Sequence, residues 1–209
     1  MIITQISVQK RNKTRWNIYI DGSFSFSASA EDIVRYRLKE GKKIDEDELQ
    51  KLTEACEYTK AYNYALSILN VKDYTCSALR KKIMDKGYSE ETSNSVIEKL
   101  GLYGIIDDER YVTRYVNDCI RLKKYGRNKI MYELQAKGIS DELKESINID
   151  EELQYNNCME LGEKKLRQLK GKDKIKEKLY RYLVTKGYPY EMVIKVIDKL
   201  IKEEERDME

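Results

Sequence analysis

GLYGIIDDERYVTRYVNDCIRLKKYGRNKIMYELQAKG, residues Gly101 to Gly138, decides how the chain is read: a helix start, an amphipathic helix, a glycine break and a second helix. Ile105 and Ile106 precede Asp107 and Asp108, and carboxylates at a helix start accept from free backbone N–H groups and suit the positive end of the helix dipole. The helix is therefore predicted to begin near Asp107. At about 100° per residue, Val112, Tyr115, Val116, Cys119 and Ile120 fall on one side, the spacing of a buried face. Arg110, Arg114, Asn117, Arg121 and Lys124 fall on the other. Adjacent aspartates on a helix diverge by the same angle, so Asp107 and Asp108 are read as caps rather than as a catalytic or metal-binding pair.

Working outward, the Lys-Gly pair that ends this stretch recurs. Lys86-Gly87-Tyr88, Lys137-Gly138-Ile139 and Lys186-Gly187-Tyr188 stand 51 and 49 residues apart. Leu79, Ile130 and Leu179 lie at one position of the register and Ile83, Leu134 and Leu183 at another. Leu69, Ile120 and Leu169 stand further upstream, and Val96, Ile147 and Val196 downstream. Each unit reads as a long helix, a helix stopped by glycine, and a third helix opened by Ser89, Ser140 or Pro189. Units this small bury too little surface to stand alone and share faces with their neighbours. The expected fold is mainly α: three tandem three-helix repeats in an elongated curved rod, with a small N-terminal β-hairpin or sheet. Segments are expected at 1–55 for the hairpin and its helices, 56–104, 105–149 and 150–209 for the repeats, the last with a charged tail from Lys202 that frays.

At the N-terminus Ile6 and Val8, then Trp16, Ile18 and Ile20, alternate with polar residues, the period of a half-buried strand. Asp21-Gly22 before Phe24 and Phe26 signals a hairpin. Ser29 with Asp32 predicts a capping box that opens a helix to Leu38, closed at Gly41. Asp45 and Glu48 open another, ending before Cys56 or running on toward Leu69.

The chain has 209 residues, 41% hydrophobic and 37% charged, with one proline and no histidine. A net charge of +3 does not argue for nucleic acid, but its distribution is blocky. Ser140 to Glu160 holds seven acids against one base, and Leu161 to Tyr188 ten bases against three acids. Cys56, Cys76, Cys119 and Cys158 lack the close pairing of zinc sites and read as buried free thiols in a reducing compartment. No segment approaches the roughly 20 apolar residues of a membrane span, and the N-terminus has no apolar leader core, so a cytoplasmic protein is expected. No phosphate-binding glycine loop, nucleophile–base pair or metal signature is present in the sequence. No enzymatic activity and no cofactor or metal are expected.

GIIDDERYVTRYV (Gly104 to Val116) followed by YGRNKIMYELQAKGIS (Tyr125 to Ser140) resembles the central motif of the RecX family, regulators of the RecA recombinase. LRKKIMDKGY (Leu79 to Tyr88) and KLYRYLVTKGY (Lys178 to Tyr188) resemble its first and third repeats. The hairpin ending in Phe24 and Phe26, with its helix and Gly41, is similar to the extension of Gram-positive members. One departure is Val112, where the family often has alanine. The resemblance implies an all-helical monomer that lies in the groove of the RecA–single-stranded DNA filament. There it suppresses ATP hydrolysis, strand exchange and the co-protease activity of the SOS response.

Arg110, Arg114, Arg121 and Lys124, with Arg127 and Lys129 beyond the glycine, are the expected partner-binding residues. A solvated helix face is the alternative for this stripe. The basic block from Lys164 to Arg181 has the same two readings and supports a weak, non-specific DNA contact without base readout. Tyrosines such as Tyr103, Tyr111, Tyr115, Tyr125 and Tyr132 read as core-edge packing, with stacking on bases as the other use. A helical-repeat nucleic-acid binder with no recombinase partner is the second functional reading.

Overall fold

The computed structural model describes residues 1–10, 12–169 and 171–206. Lys170 of the second basic block and the last three residues of the charged tail lie outside them. The chain divides into two compact units, Met1–Ile106 and Asp107–Glu209.

In the first unit, strands β1 (Ile3–Val8), β2 (Arg15–Ile20) and β3 (Ser23–Ser29) form an antiparallel sheet in that order. Alternation puts Ile18, Ile20, Phe26 and Ala28 inside. Asp21 and Gly22, both at positive φ, make the two-residue turn that matches strand twist. Helix α1 (Ala30–Arg35) has the expected capping box: Ser29 N–H donates to Asp32 Oδ2 at 2.9 Å, and Asp32 N–H to Ser29 Oγ at 3.1 Å. It ends three residues before the expected Leu38. Arg37 turns left-handed at φ 49°, and Leu38 N–H returns to the Ile33 carbonyl at 3.0 Å. That turn drives Leu38 into the core under the sheet.

Helix α2 (Glu46–Leu69), capped by Asp45, runs unbroken to the later of the two expected ends. Its Leu52 and Cys56 complete the sheet's core, whereas Ala61 and Ala65 belong to the core of the first helical repeat. A sheet of three short strands is thereby tied to a helix, as one this size requires. Helices α3 (Cys76–Asp85) and α4 (Glu90–Leu102) complete that repeat, capped by Thr75 and Ser89.

The second unit contains α5 (Asp108–Arg121), α6 (Arg127–Ala136), α7 (Asp141–Glu145), α8 (Glu151–Leu169), α9 (Ile175–Thr185) and α10 (Tyr190–Arg206). Asp107 caps α5, accepting from Arg110 N–H at 2.9 Å, and Val112, Val116, Cys119 and Ile120 form its buried face. The register is structural: Leu79, Ile130, Leu179, Ile83, Leu134 and Leu183 are all fully buried, each such side chain stabilising by about 1.5–3 kcal/mol. At all three Lys-Gly stops the glycine has positive φ, and the next residue's N–H points back to the carbonyl of Ile83, Leu134 or Leu183. One residue per repeat thus serves both core and corner.

Two parts of the second unit differ from expectation. Helix α7 has five residues, and Ile147 is half-buried where Val96 and Val196 are fully buried. Ile149 enters the core instead, and Asp150 then starts α8 by accepting from Glu152 and Leu153 N–H groups. Helix α10 continues through Lys202 to Arg206 rather than fraying, with Ile201 packed on the third core. Pro189 stands directly before α10, as Ser89 and Ser140 stand before α4 and α7, and its carbonyl accepts from Val193 N–H at 3.0 Å.

None of the four cysteines is in a disulfide; Cys56, Cys119 and Cys158 are buried in three separate cores, and Cys76 is half-buried. Burial pushes the Cys56 and Cys158 thiols up to about 12 and raises that of Cys119. At pH 8 all three are protonated in the folded state, and only a thiolate attacks a disulfide reagent. Prompt labelling of one thiol in four is expected, with the others reacting at the rate of opening. Labelling of all four together in the folded protein would contradict these cores. Among the described residues, no helix is long and apolar enough to cross a membrane.

Candidate functional site

The corner between α5 and α6, Leu122 to Gly126, shows why the basic stripe does not run straight. Helix α5 ends at Arg121, and Lys124 turns left-handed at φ 50°. The carbonyls freed by this turn have buried partners on other elements. Asn157 Nδ2 donates to the Ile120 carbonyl at 3.0 Å, Gln154 Nε2 to that of Tyr125 at 3.1 Å, and the Tyr188 hydroxyl to that of Lys124 at 2.8 Å. Gln154 Oε1 accepts from Arg127 N–H at 3.0 Å, so this side chain, 3% exposed, is bonded at both ends. Burying amides is costly unless they are hydrogen-bonded, and here they are.

The end of α9 closes the same corner. Gly126 N–H donates to the Lys186 carbonyl at 2.8 Å and Asn128 N–H to that of Gly187 at 3.0 Å. A Cβ on Gly126 would stand well under 3.0 Å from the backbone of Gly187 and Tyr188. Gly126 has ordinary extended backbone, φ −75°, so its requirement is space rather than conformation. The second and third repeats of this unit are therefore joined backbone to backbone. Burial raises the Tyr188 hydroxyl well above its usual pKa, keeping it a donor.

The expected partner residues separate on this frame. Arg110, Arg114 and Arg121 are exposed on the outer side of α5, opposite its oily face. Lys124 is not on that helix: its side chain is 25% exposed and ion-paired with Glu160 of α8. The wheel had carried it past the helix end. Arg127 lies exposed on a cleft of 770 Å³ whose rim also holds Glu151, Glu152, Glu191 and Lys195. Lys129 is half-buried, its ammonium 4.2 Å from the centre of the Tyr125 ring.

Around that ring the structure gathers lysines that spacing alone did not connect. Lys123 lies 5.5 Å and Lys186 5.7 Å from the Tyr125 centroid. Lys123 also reaches Tyr115 at 5.1 Å, where Lys137 stands at 4.9 Å. Lys186 is shared with Tyr182, which Lys165 meets at 5.2 Å. Tyr111 stacks on Tyr115 with centroids 5.9 Å apart, and the Tyr115 hydroxyl donates to Glu133. Desolvation and that bond push the Tyr115 hydroxyl far up, so it is un-ionised at any working pH. The result is a surface of alternating ring and ammonium drawn from α5, α6, α8 and α9, each contact of the cation–π type worth about 0.5–1 kcal/mol when exposed. In the first unit Lys86 lies 5.7 Å over Tyr64, at the same register positions as Lys137 over Tyr115.

Comparison with known proteins places these elements. The description "Regulatory protein RecX N-terminal domain" matches residues 1–45, and the first, second and third three-helix domains of RecX match 61–100, 107–146 and 151–197. A regulatory protein RecX from Clostridium perfringens (strain SM101 / Type A) is 37% identical over 208 residues, 97% of each chain. One from Clostridioides difficile (strain 630) is 33% identical over 211 residues, 99% of each. A crystal structure of regulatory protein RecX superposes with a TM-score of 0.71 at 27% identity, covering 94% of this chain and 98% of the other. The structure of RecX from Lactobacillus salivarius gives 0.64 at 27% identity, covering 70% and 97%.

Proposed function

The chain belongs to the regulatory protein RecX family, and on that premise we propose that it is a non-enzymatic regulator of the RecA recombinase. It acts in the cytoplasm as a monomer on the RecA–single-stranded DNA filament, holding down ATP hydrolysis, strand exchange and co-protease activity. The observation that carries this reading is the match of all four RecX domains along one chain. Arg110, Arg114 and Arg121 on the exposed side of α5, with Arg127 and Lys129 beyond the corner, supply the contact. The oily side of α5 is occupied by its own core, which leaves the basic side for a partner.

A second reading, a nucleic-acid binder with no recombinase partner, is favoured by the lysines around Tyr125. Binding to bare and recombinase-coated single-stranded DNA separates the two. Coated DNA is expected to bind the protein at least about tenfold more tightly near physiological salt, where sequence-independent phosphate contacts alone are weak. Tighter binding to bare DNA, falling steeply with salt, would favour the second reading.

A further inference from the structure

Lys123, Lys129 and Lys186 set three ammonium groups around one ring, at 5.5, 4.2 and 5.7 Å from the Tyr125 centroid. Their mutual separations are bounded by sums of those distances, comparable to the Debye length of about 8–10 Å at ordinary ionic strength. Like charges within about one Debye length repel with only partial screening. Ion pairs elsewhere on the unit are made by Lys124 with Glu160, Lys144 with Asp141, Arg167 with Glu163 and Arg181 with Glu177. Among the described residues no carboxylate lies within ion-pair distance of the three lysines at Tyr125; the Glu133 carboxylate sits on the neighbouring Tyr115, the ring Lys123 also meets. Their positive charge is gathered without a direct ion pair.

The gathering is built into the fold. Lys123 and Lys129 flank the α5–α6 corner and Lys186 ends α9, and the corner is held to α9 by the Gly126 and Asn128 N–H bonds. The N–H groups at the start of α6 are already engaged, by Lys186, Gln154 and Gly187 carbonyl or amide oxygens, so the lysines supply the available donors. Each ammonium is held near an aromatic ring, which leaves less rotamer freedom to lose when an anion is bound. An ammonium is a compact point charge with rotatable donors, suited to phosphate oxygens without fixed geometry.

We propose that Lys123, Lys129 and Lys186 form a phosphate-binding site organised on Tyr125, taking either successive phosphates of a single-stranded nucleic acid or a free oligophosphate. It does not depend on the recombinase reading, because it is tested on the full-length protein alone. Inorganic tripolyphosphate and an oligothymidylate are titrated separately, and then in competition, by calorimetry at several salt concentrations. Lys123→Gln with Lys186→Gln is compared with Lys199→Gln with Lys202→Gln, an equal charge change on the exposed side of α10.

The triad variant is expected to bind at least about tenfold more weakly, and its salt slope for oligothymidylate to fall by about 1.4, two contacts at about 0.7 each for a single strand. The α10 variant is expected to change binding less than about twofold, because exposed charges outside the cluster act on the anion only through screened solvent. Loss with oligothymidylate alone assigns the site to a phosphodiester chain; loss with tripolyphosphate alone assigns it to free phosphate. Both uphold it. Equal weakening by the two variants would reduce the effect to overall charge and overturn the site, as would undiminished binding by the triad variant or no binding of either probe by the parent.

Discussion

Gly126→Ala is expected to destabilise the second unit by about 3–5 kcal/mol, read as a fall in the urea midpoint followed by helical circular dichroism. The added methyl meets backbone atoms of Gly187 and Tyr188, which cannot rotate aside. Overpacking of a rigid site costs about 1–3 kcal/mol or more. Separation also weakens the Gly126 and Asn128 N–H bonds, each contributing about 1 kcal/mol net. Gly87→Ala is the control: at φ +99° with nothing within 4 Å of its Cβ, it meets only left-handed strain of about 1–2 kcal/mol. Equal losses at the two positions would mean that the close approach at Gly126 costs no more than left-handed strain costs at Gly87, and would contradict a tight joint between the second and third repeats.

The second large effect is functional. Arg114→Glu combined with Arg121→Glu reverses two exposed charges on the outer side of α5. Placing like charges against a partner that attracted them costs several kcal/mol, at 1.4 kcal/mol per tenfold, so the concentration needed to inhibit the recombinase should rise by at least about tenfold. Folding should change by about 0.5–1 kcal/mol, as for exposed ion pairs and surface substitutions. Unaltered inhibition by a folded double variant would move the contact to another face.

What could be read in the chain was set by short-range pattern. Val112, Val116, Cys119 and Ile120 recur at helical spacing, so the buried face of α5 was legible, as was the cap at Asp107. The three Lys-Gly corners were legible because left-handed backbone favours glycine whatever lies nearby. Lys124 was misplaced because a helical wheel has no way to register that the helix stops at Arg121. Gln154 and Asn157 sit in an acidic, polar stretch that singles neither of them out, yet they are 3% and 8% exposed. Their partners, the carbonyls of Tyr125 and Ile120, are distant in sequence and invisible to periodicity. Gly126 looked like a simple break, while its cause is the approach of Gly187.

The lysine cluster was hidden for the same reason. Lys123 and Lys129 lie near Tyr125 in the chain, but Lys186 arrives through the joint. The available sign was Lys-Lys-Tyr-Gly-Arg leading into α6, together with a third lysine fixed at a helix stop by the repeat register.

Regulation of RecA filaments is read in their ATP hydrolysis. Recombinase is assembled on single-stranded DNA, the purified protein is added in increasing amounts up to excess, and the steady-state rate is followed. A progressive fall in hydrolysis is predicted, displaced to higher concentration by Arg114→Glu with Arg121→Glu. A rate unchanged at excess protein would rule out a regulator of the RecA filament.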